Sequence, residues 1–401
     1  MGYNITNSIK FGATSIDASG FLNVSNKTIL GNYVQDKDDL PLLLDRISNG
    51  TATQVWGNGV VEMDTGAADY AICQSFKRHL YLGGKSQRVE ITFNQMGIQA
   101  NVEKRVGYFS SDTVAPYNTG YDGFYLEMDG TTYNIVINKG GTPVATVPRA
   151  NWDDPLDGTG ASGIDIDFKD FTVMVMEFLY LGGTSLEVSF IVGGVQYIAH
   201  NYENSSINGT TFVNSPTQPV RWEVRGNGSA GELGQVCAAV STGGALDVVG
   251  FPHAVDLGFA NFINANAAGT TYLVAALRLN DVLAIGLDVT GDLLATTNDD
   301  YIARFIVNPN IAGAALTWNA IPNSGYDWAI GDTANPSTNI VTGGTVIASA
   351  FGEGNSLRTL EANSLFQVGS DLTGASDILA LCVEPIGTNL DIRGAINFKT
   401  L

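Results

Sequence analysis

Hydrophobic and polar residues alternate over short runs along most of the chain. Such runs occupy 88–93, 124–128 and 133–138, and each is bounded by glycine, asparagine or aspartate residues. A period of two is typical of a half-buried β-strand, and no long run repeats with the period of a helix. Asp129 and Gly130 lie between two of these runs and predict a tight hairpin turn. The pattern therefore predicts an all-β fold built largely from antiparallel strands.

The strand pattern continues to the end of the chain, but the composition changes after residue 244. Lysine becomes rare there, while alanine, leucine and asparagine become more frequent. Because a single hydrophobic core rarely grows beyond about 250–300 residues, we expect two domains. We predict a jelly-roll domain at 52–245 and a smaller β-sandwich domain at 246–401. A short extended N-terminal arm at 1–51 precedes them and is expected to be the attachment segment.

The chain is strongly acidic, with 40 aspartate and glutamate residues against 20 lysine and arginine residues and a formal charge of −20. Proteins that bind DNA or RNA neutralise phosphates with basic residues, and the sequence has no basic stripe. With 44% hydrophobic residues, the chain can still bury large cores. We therefore expect a folded protein that does not bind nucleic acid.

Membrane and secretion signals are missing from the sequence. No apolar window is long enough to span a bilayer, and residues 1–10 lack the basic and apolar regions of a signal peptide. We therefore expect synthesis in a reducing cytosol and no membrane partner. Cys73, Cys237 and Cys382 are odd in number and widely spaced, which disfavours a disulfide framework and favours buried thiols.

The carboxylates, nucleophiles and histidines of the sequence form no complete catalytic pattern. Glu127 and Asp129 are the best pair for a glycoside hydrolase, but both run into the predicted hairpin turn, and no third acid follows at the spacing of E-x-D-x-x-E glucanases. The alternative is a strand with Glu127 on its solvent side. His79, His200 and His253 lack neighbouring Ser, Cys or His partners, and G-x-S-x-G is absent. The sequence predicts no catalytic residue, no bound cofactor and no enzymatic activity.

An acidic loop offers a candidate ion site. Asp153, Asp154 and Asp157 precede Asp165 and Asp167, which brings five oxygen donors into a short segment. Clustered carboxylates are typical calcium ligands, although the spacing differs from that of an EF-hand. We consider a structural calcium ion at Asp153, Asp154 and Asp157, and the alternative is a solvated loop with Asx turns.

Tryptophan side chains could stack on a sugar ring. The five tryptophans are Trp56, Trp152, Trp222, Trp318 and Trp328. Trp152 is the candidate glycan-binding residue, because it lies in a polar segment that looks exposed. The alternative is that these residues are core or interface residues, as tryptophans in β-sandwiches usually are.

Several segments of the presumed jelly-roll domain share a familiar pattern. They are AICQSFKRHLYLGGKSQ at 71–87, VGYF at 106–109, DGFYLE at 122–127, VPRANWDDPLDGTGASG at 147–163, FLYLG at 178–182, PVRWEVR at 219–225 and QVCAAVS at 235–241. Together they resemble a module found in uncharacterised virion proteins of tailed phages and large DNA viruses. The resemblance implies a concanavalin-like jelly roll displayed on a particle, and by analogy a homotrimer. It does not distinguish capsid decoration protein, vertex spike and tail fibre.

Three functional hypotheses follow from these patterns. The first is a virion structural protein that is assembled in the host cytoplasm, is exposed on the particle surface and contacts itself and other capsid or tail proteins. The alternative is a lectin-like, receptor-binding tail or fibre protein that recognises a cell-surface glycan. A polysaccharide-degrading enzyme ranks third, because the catalytic spacing is missing.

Overall fold

The computed structural model of the chain describes residues 15–16, 22–23, 27–34, 43–111, 121–181, 184–205, 208–244, 250–258, 260–280, 286–333, 339–362 and 367–400. Regular structure in these residues is almost entirely antiparallel β-strand, so the predicted all-β fold class is confirmed. The chain divides into two compact units, 1–247 and 248–401. This division lies two residues from the boundary that the composition predicts.

The first unit contains strands β1 to β17 within the described residues. In chain order they are β1 (Ser15–Ile16), β2 (Leu22–Asn23), β3 (Lys27–Val34), β4 (Leu44–Ser48), β5 (Thr53–Gly57), β6 (Val60–Thr65), β7 (Tyr70–Ser75), β8 (Gln87–Asn94), β9 (Val102–Ser110), β10 (Asp122–Met128), β11 (Tyr133–Lys139), β12 (Thr142–Pro148), β13 (Thr172–Leu179), β14 (Ser185–Val192), β15 (Val195–Glu203), β16 (Val220–Gly226) and β17 (Gly231–Gly243). One turn of 3-10 helix, Arg149–Asn151, follows β12.

Most of these strands form two sheets. The seven-stranded sheet has the order β12-β11-β10-β9-β16-β7-β4. The eight-stranded sheet has the order β15-β14-β13-β8-β17-β6-β5, and β3 pairs with β17. At several points the chain crosses from one sheet to the other between consecutive strands, as from β8 to β9, β12 to β13 and β16 to β17. The apolar faces of the two sheets can therefore pack against each other as a sandwich.

Alternation along the strands builds the core of the first unit. In β8, Val89, Ile91 and Phe93 are fully buried, while the residues between them are partly exposed. Trp222 on β16 is also fully buried, and its Nε1–H donates to the Thr92 carbonyl oxygen of the opposite sheet at 3.3 Å. Burial of each large apolar side chain contributes about 1.5–3 kcal/mol, so this packing holds the two sheets together.

The structure corrects the predicted N-terminal arm at 1–51. β3 pairs with β17 of the eight-stranded sheet, and β4 pairs with β7 of the seven-stranded sheet. Leu30 and Tyr33 of β3 lie in the core, and the Tyr33 hydroxyl is 2.8 Å from Nε2 of buried His79. The prediction of an extended arm is wrong for 27–34 and 44–48, because their apolar residues supply part of the core. Residues 1–14 lie outside the described part.

The second unit contains strands β18 to β30 within the described residues. In chain order they are β18 (Phe251–Asp256), β19 (Ile263–Ala265), β20 (Tyr272–Leu279), β21 (Gly286–Ala295), β22 (Tyr301–Val307), β23 (Asn310–Ile311), β24 (Asn319–Ile321), β25 (Tyr326–Ile330), β26 (Val341–Thr342), β27 (Thr345–Gly352), β28 (Leu357–Glu361), β29 (Ile378–Pro385) and β30 (Leu390–Thr400).

Two larger sheets of the second unit also pack face to face. One has the order β18-β30-β21-β28, with β19 also on β30, and the other has the order β24-β25-β20-β29-β22-β27. Their contact is close at Gly291 of β21, where an added Cβ would lie 2.8 Å from a Leu381 methyl carbon and 2.9 Å from the Phe305 ring. The second unit is therefore a second β-sandwich.

The sequence predicts buried cysteine thiols without a disulfide framework, and two of the three cysteines are buried. Cys73, Cys237 and Cys382 are free thiols, the first and last fully buried and Cys237 partly exposed. Burial raises the pKa of Cys73 to about 12, so this thiol is unreactive at neutral pH. Within the described part of the chain, no helix is long and apolar enough to cross a membrane.

Candidate functional site

A cluster of charged side chains covers the outer face of the seven-stranded sheet. Its members are Arg105 and Glu103 on β9, Glu127 on β10, and Arg221 and Glu223 on β16, hereafter the Arg105 cluster. Arg105 lies 2.8 Å from Glu127, 3.1 Å from Glu223 and 3.3 Å from Glu103, and Arg221 lies 2.7 Å from Glu223. Alternation and register bring these residues together, because their neighbours Val106, Leu126 and Trp222 point into the core.

Aromatic rings pack beside the Arg105 cluster on the same face. Phe109, Tyr121, Tyr125 and Val136 form a separate buried group. The Arg105 guanidinium lies 4.9 Å from the centre of the Tyr121 ring. Among the described residues this group is buried and the carboxylates are paired, so this part of the outer face is a packed layer of rings and ion pairs.

The same geometry decides the role of Glu127 and Asp129. Glu127 is ion-paired to Arg105 and is not a free carboxylate on the solvent side of its strand. Asp129 caps the predicted hairpin and accepts hydrogen bonds from the Thr131 and Thr132 amides at 2.9 Å each. Partial burial acts to raise the pKa of Asp129, but these hydrogen bonds outweigh it and hold the pKa below its usual value. Both carboxylates are therefore bound to structural partners, and they are not arranged as the general acid and the nucleophile of a glycoside hydrolase.

The acidic loop after β12 uses its carboxylates to hold its own backbone. Asp154 accepts from the Ser162 amide at 2.8 Å and the Leu156 amide at 3.1 Å. Asp157 accepts from the Thr159 amide at 3.0 Å, and Asp153 accepts from the Asn201 amide at 2.8 Å.

The carboxylates of the acidic loop are not arranged as a calcium site. Among the described residues, no three His, Cys, Asp or Glu side chains are grouped closely enough to hold a metal ion. Asp153, Asp154 and Asp157 each face a different backbone amide of the protein, whereas a calcium ion takes six to eight oxygens around one point. The residues therefore do not fit a calcium ion, and the geometry matches the Asx-turn alternative.

Trp152 is a core residue, which corrects its prediction as a glycan platform. Its side chain is 4% exposed, and its Nε1–H donates to the Val147 carbonyl oxygen at 3.0 Å. The indole stacks on Phe190 with ring centres 6.1 Å apart and meets Phe168 edge-on. The polar residues around Trp152 in sequence made the segment look exposed, but the indole turns inward beneath them.

An open pocket lies at the end of the first sandwich where β8 and β9 are joined. It has a volume of about 200 Å³. We call it the loop-end pocket, and it is lined by Gln95, Gly97, Ile98, Gln99, Lys104, Lys169 and Glu232. These residues come from the 95–101 loop, from β9, from the segment before β13 and from the start of β17.

Lys104 is the buried charge of the loop-end pocket. Its side chain is 2% exposed, and Nζ donates to the carbonyl oxygens of Gln95 at 2.7 Å and Gly97 at 3.4 Å. Burial lowers the pKa of Lys104 to about 8, with the charge of Glu232 opposing that effect and the charge of Lys169 adding to it. An ammonium group has three N–H donors, so one is left over for a ligand.

Backbone hydrogen bonds fix the two segments that form the pocket wall. The amide of Gln95 donates to the Lys169 carbonyl oxygen at 3.0 Å, and the amide of Met96 donates to the Phe168 carbonyl oxygen at 2.9 Å. The aliphatic part of Lys169 covers Gly97 so closely that an added Cβ would lie 2.6 Å from it. The pocket is therefore preformed, with the exposed ammonium end of Lys169 at its rim.

The prediction from sequence did not include the loop-end pocket. One signal was present: Lys104 occupies the same strand parity as Val102 and Val106, which face the core. A lysine at a core position is unusual and indicates a special environment. Lys104 meets Lys169 and Glu232 only through the order of the strands in the sheets, so no short sequence pattern predicts that these three residues lie together.

A second depression lies on the second unit. It has a volume of about 250 Å³ and is lined mainly by apolar atoms. Leu294 and Leu357 lie opposite each other on β21 and β28 and form one wall. Ala395 lies on the neighbouring strand β30, and the lining also includes Asp256 and Arg393. It has fewer convergent polar groups than the loop-end pocket, so it is the weaker candidate for a specific ligand.

No protein-family model matches the chain, and no curated protein sequence is similar to it. Among solved structures, the VIP36 exoplasmic/lumenal domain bound to Ca²⁺ and Man3GlcNAc is 11% identical over 56% of this chain and 92% of that chain, with a TM-score of 0.35. The carbohydrate recognition domain of Emp47p is 14% identical over 54% and 95%, with a TM-score of 0.34. A structure reported with endo-acting O-glycanases of the human gut microbiota is 12% identical over 55% and 100%, with a TM-score of 0.36. Similarities this low assign neither a ligand nor a reaction to this chain.

Proposed function

We propose that the chain is a carbohydrate-binding protein that holds a glycan in the loop-end pocket without cleaving it. The observation that carries this proposal is the convergence of amide, ammonium and carboxylate groups on one preformed, open pocket. Sugar hydroxyls both donate and accept hydrogen bonds, so such a mixed lining suits them. Ile98, which is 51% exposed, adds an apolar contact at the rim.

The lining of the pocket favours binding over catalysis. Glycoside hydrolysis generally needs two carboxyl groups placed across the scissile bond. Glu232 is the one carboxylate among the lining residues, and Glu127 and Glu223 are ion-paired to Arg105 on a buried face. A binding protein therefore accounts for the residues better than a hydrolase does.

A glycan array probed with the full chain tests the proposal. Glu232→Trp places a large ring over the pocket from a strand position that is exposed, so the fold should be retained. The matched control is Glu62→Trp on β6, an exposed glutamate of the same sheet that does not line the pocket. We expect the wild-type chain and Glu62→Trp to bind the same glycans and Glu232→Trp to lose most of that signal. Failure of the wild-type chain to bind any glycan, or full binding by Glu232→Trp, contradicts the proposal.

The role on a virus particle stays a prediction. It is supported by the sequence resemblance, together with the expected trimer and the expected contacts with capsid or tail proteins. A glycan-binding unit is compatible with a receptor-binding fibre protein, which was the alternative hypothesis. Detection of the chain in purified particles would test the particle assignment independently of sugar binding.

A further inference from the structure

The loop-end pocket has the opposite charge from the rest of the chain. The formal charge of the protein is −20, yet the pocket is lined by two lysines and one glutamate. Both ammonium groups belong to one preformed wall, because Lys169 is bonded through its backbone to the loop whose carbonyl oxygens accept from Lys104. A local positive charge in an acidic protein selects for an anionic group while the remaining surface repels anions.

Lys104 is placed to bind an anion strongly. It is almost fully buried, so its attraction for a negative group is less weakened by water than that of a surface lysine. Two of its three N–H donors are taken by the Gln95 and Gly97 carbonyl oxygens, which fixes the direction of the third. Lys169 supplies a second, exposed ammonium group to the lining of the pocket.

We infer that the ligand of the loop-end pocket is an acidic saccharide, whose carboxylate or sulfate group binds between Lys104 and Lys169. This inference rests on the proposed function and narrows its ligand class. Glu232 completes the site, because its carboxylate can accept hydrogen bonds from hydroxyl groups on the same sugar. Charge-assisted hydrogen bonds are about twice as strong as neutral ones, so the acidic group would dominate recognition.

The charged groups that face Lys104 also give the expected pH dependence. They are Glu232, which favours the ammonium form, and Lys169, which disfavours it. Because the pKa of Lys104 is about 8, the ammonium form predominates at pH 7 and is lost above pH 8. Binding of an anionic sugar should therefore weaken between pH 7 and pH 9, whereas binding of a neutral sugar should change little.

Isothermal titration calorimetry on the full chain tests the inference with a matched pair of ligands. The acidic probe is an oligogalacturonate, the neutral probe is the same oligosaccharide after reduction of its carboxyl groups, and inorganic sulfate is the third probe. We expect the acidic probe to bind at least about tenfold more tightly than the neutral probe and sulfate. Sulfated oligosaccharides and their desulfated counterparts form the second pair, which covers the other anionic group.

Substitutions of the two pocket lysines test whether the preference for the acidic probe arises in the loop-end pocket. Lys169→Gln removes an exposed charge and should reduce the preference for the acidic probe several-fold, while Lys27→Gln on β3 removes an exposed charge elsewhere and should not. Lys104→Met tests the buried charge, provided that its circular dichroism spectrum matches the wild type.

Each outcome distinguishes the inference from the function on which it rests. Equal binding of acidic and neutral probes at the Glu232→Trp-sensitive site overturns the inference and leaves glycan binding intact. An equal loss of affinity in Lys27→Gln and Lys169→Gln, or sulfate binding as tight as that of the acidic sugars, also overturns it, since the attraction would then be general or independent of the sugar. Absence of binding by every saccharide contradicts both proposals.

Discussion

Glu177 and Glu187 lie directly opposite each other on β13 and β14, so two carboxylates share one part of the outer face of the eight-stranded sheet. Arg88 lies 3.5 Å from Glu177 on the far side of the pair. Burial, and then the negative charge of Glu177, raises the pKa of Glu187 to about 7. The arrangement makes the stability of the first unit depend on a single proton near neutral pH.

Glu187→Gln should stabilise the chain at pH 8 and have little effect near pH 4. The folded-state pKa is raised above the usual value of 4.5, so protonated Glu187 favours folding below pH 4.5 and this contribution is lost as the pH rises to about 7. After allowance for solvent screening, we expect a gain of about 1–2 kcal/mol at pH 8. Urea denaturation at both pH values measures it, and Glu90→Gln, a more exposed neighbour of Arg88, is the control. A gain in unfolding free energy that is larger at pH 4 than at pH 8 would contradict a raised pKa of Glu187 in the folded state.

Arg105→Leu should strongly destabilise the first unit. Glu223 is completely buried and would keep its ion pair with Arg221, while Glu127 would lose its ion pair with Arg105. Removal of one member of a buried ion-paired group costs about 3 kcal/mol. Chemical denaturation measures the change in unfolding free energy. Arg225→Leu, at an exposed position of β16, should cost much less, and equal costs would indicate that the Arg105 cluster is not a special structural element.

Trp152→Ala should cost about 3–5 kcal/mol of stability, because a large buried side chain is replaced by a cavity between Phe168 and Phe190. Glycan binding by the folded fraction should be unchanged. Thermal denaturation gives the first quantity, and calorimetric titration at low temperature gives the second. A stable variant with no sugar binding would return Trp152 to the role of a stacking platform.

Chelation with EDTA should leave the melting temperature of the chain unchanged, because Asp153, Asp154 and Asp157 already accept hydrogen bonds from backbone amides. Asp154→Ala should lower stability by about 1–3 kcal/mol with or without EDTA, since two loop amides lose their acceptor. Differential scanning fluorimetry with added CaCl₂ is the check. A melting temperature that rises with calcium concentration would show an ion bound to the folded state.

Local features of the fold were predictable from the sequence because short-range chemistry determines them. The Asp129 and Gly130 turn joins β10 to β11 as the sequence predicts, in a loop over residues 129–132 that places Met128 opposite Tyr133. The alternation in β8 places every second residue in the core as predicted. Turn residues and a period of two act within a few positions, so one sequence suffices to find them.

Long-range features were not predictable in the same way. β3 has a strand-like pattern, but its partner β17 is about two hundred residues later, so the segment was assigned to an arm. The loop-end pocket has the same origin, since Lys104, Lys169 and Glu232 meet through the order of strands in two sheets. The prediction that Trp152 is exposed was wrong for a different reason. The polarity of the neighbouring residues does not determine the direction of the indole, which turns into the core.

The central position of β17 has a consequence for how the protein is made. β17 is the last strand of the first unit, yet it pairs with β8 on one side and with β6 and β3 on the other. During translation, the strands made before it therefore have unpaired edges until residues 231–243 leave the ribosome. Pairing at such large sequence separations is slow. The nascent first unit thus stays open to aggregation for most of its synthesis, and a chain released before residue 231 would lack the strand that joins the two halves of its larger sheet.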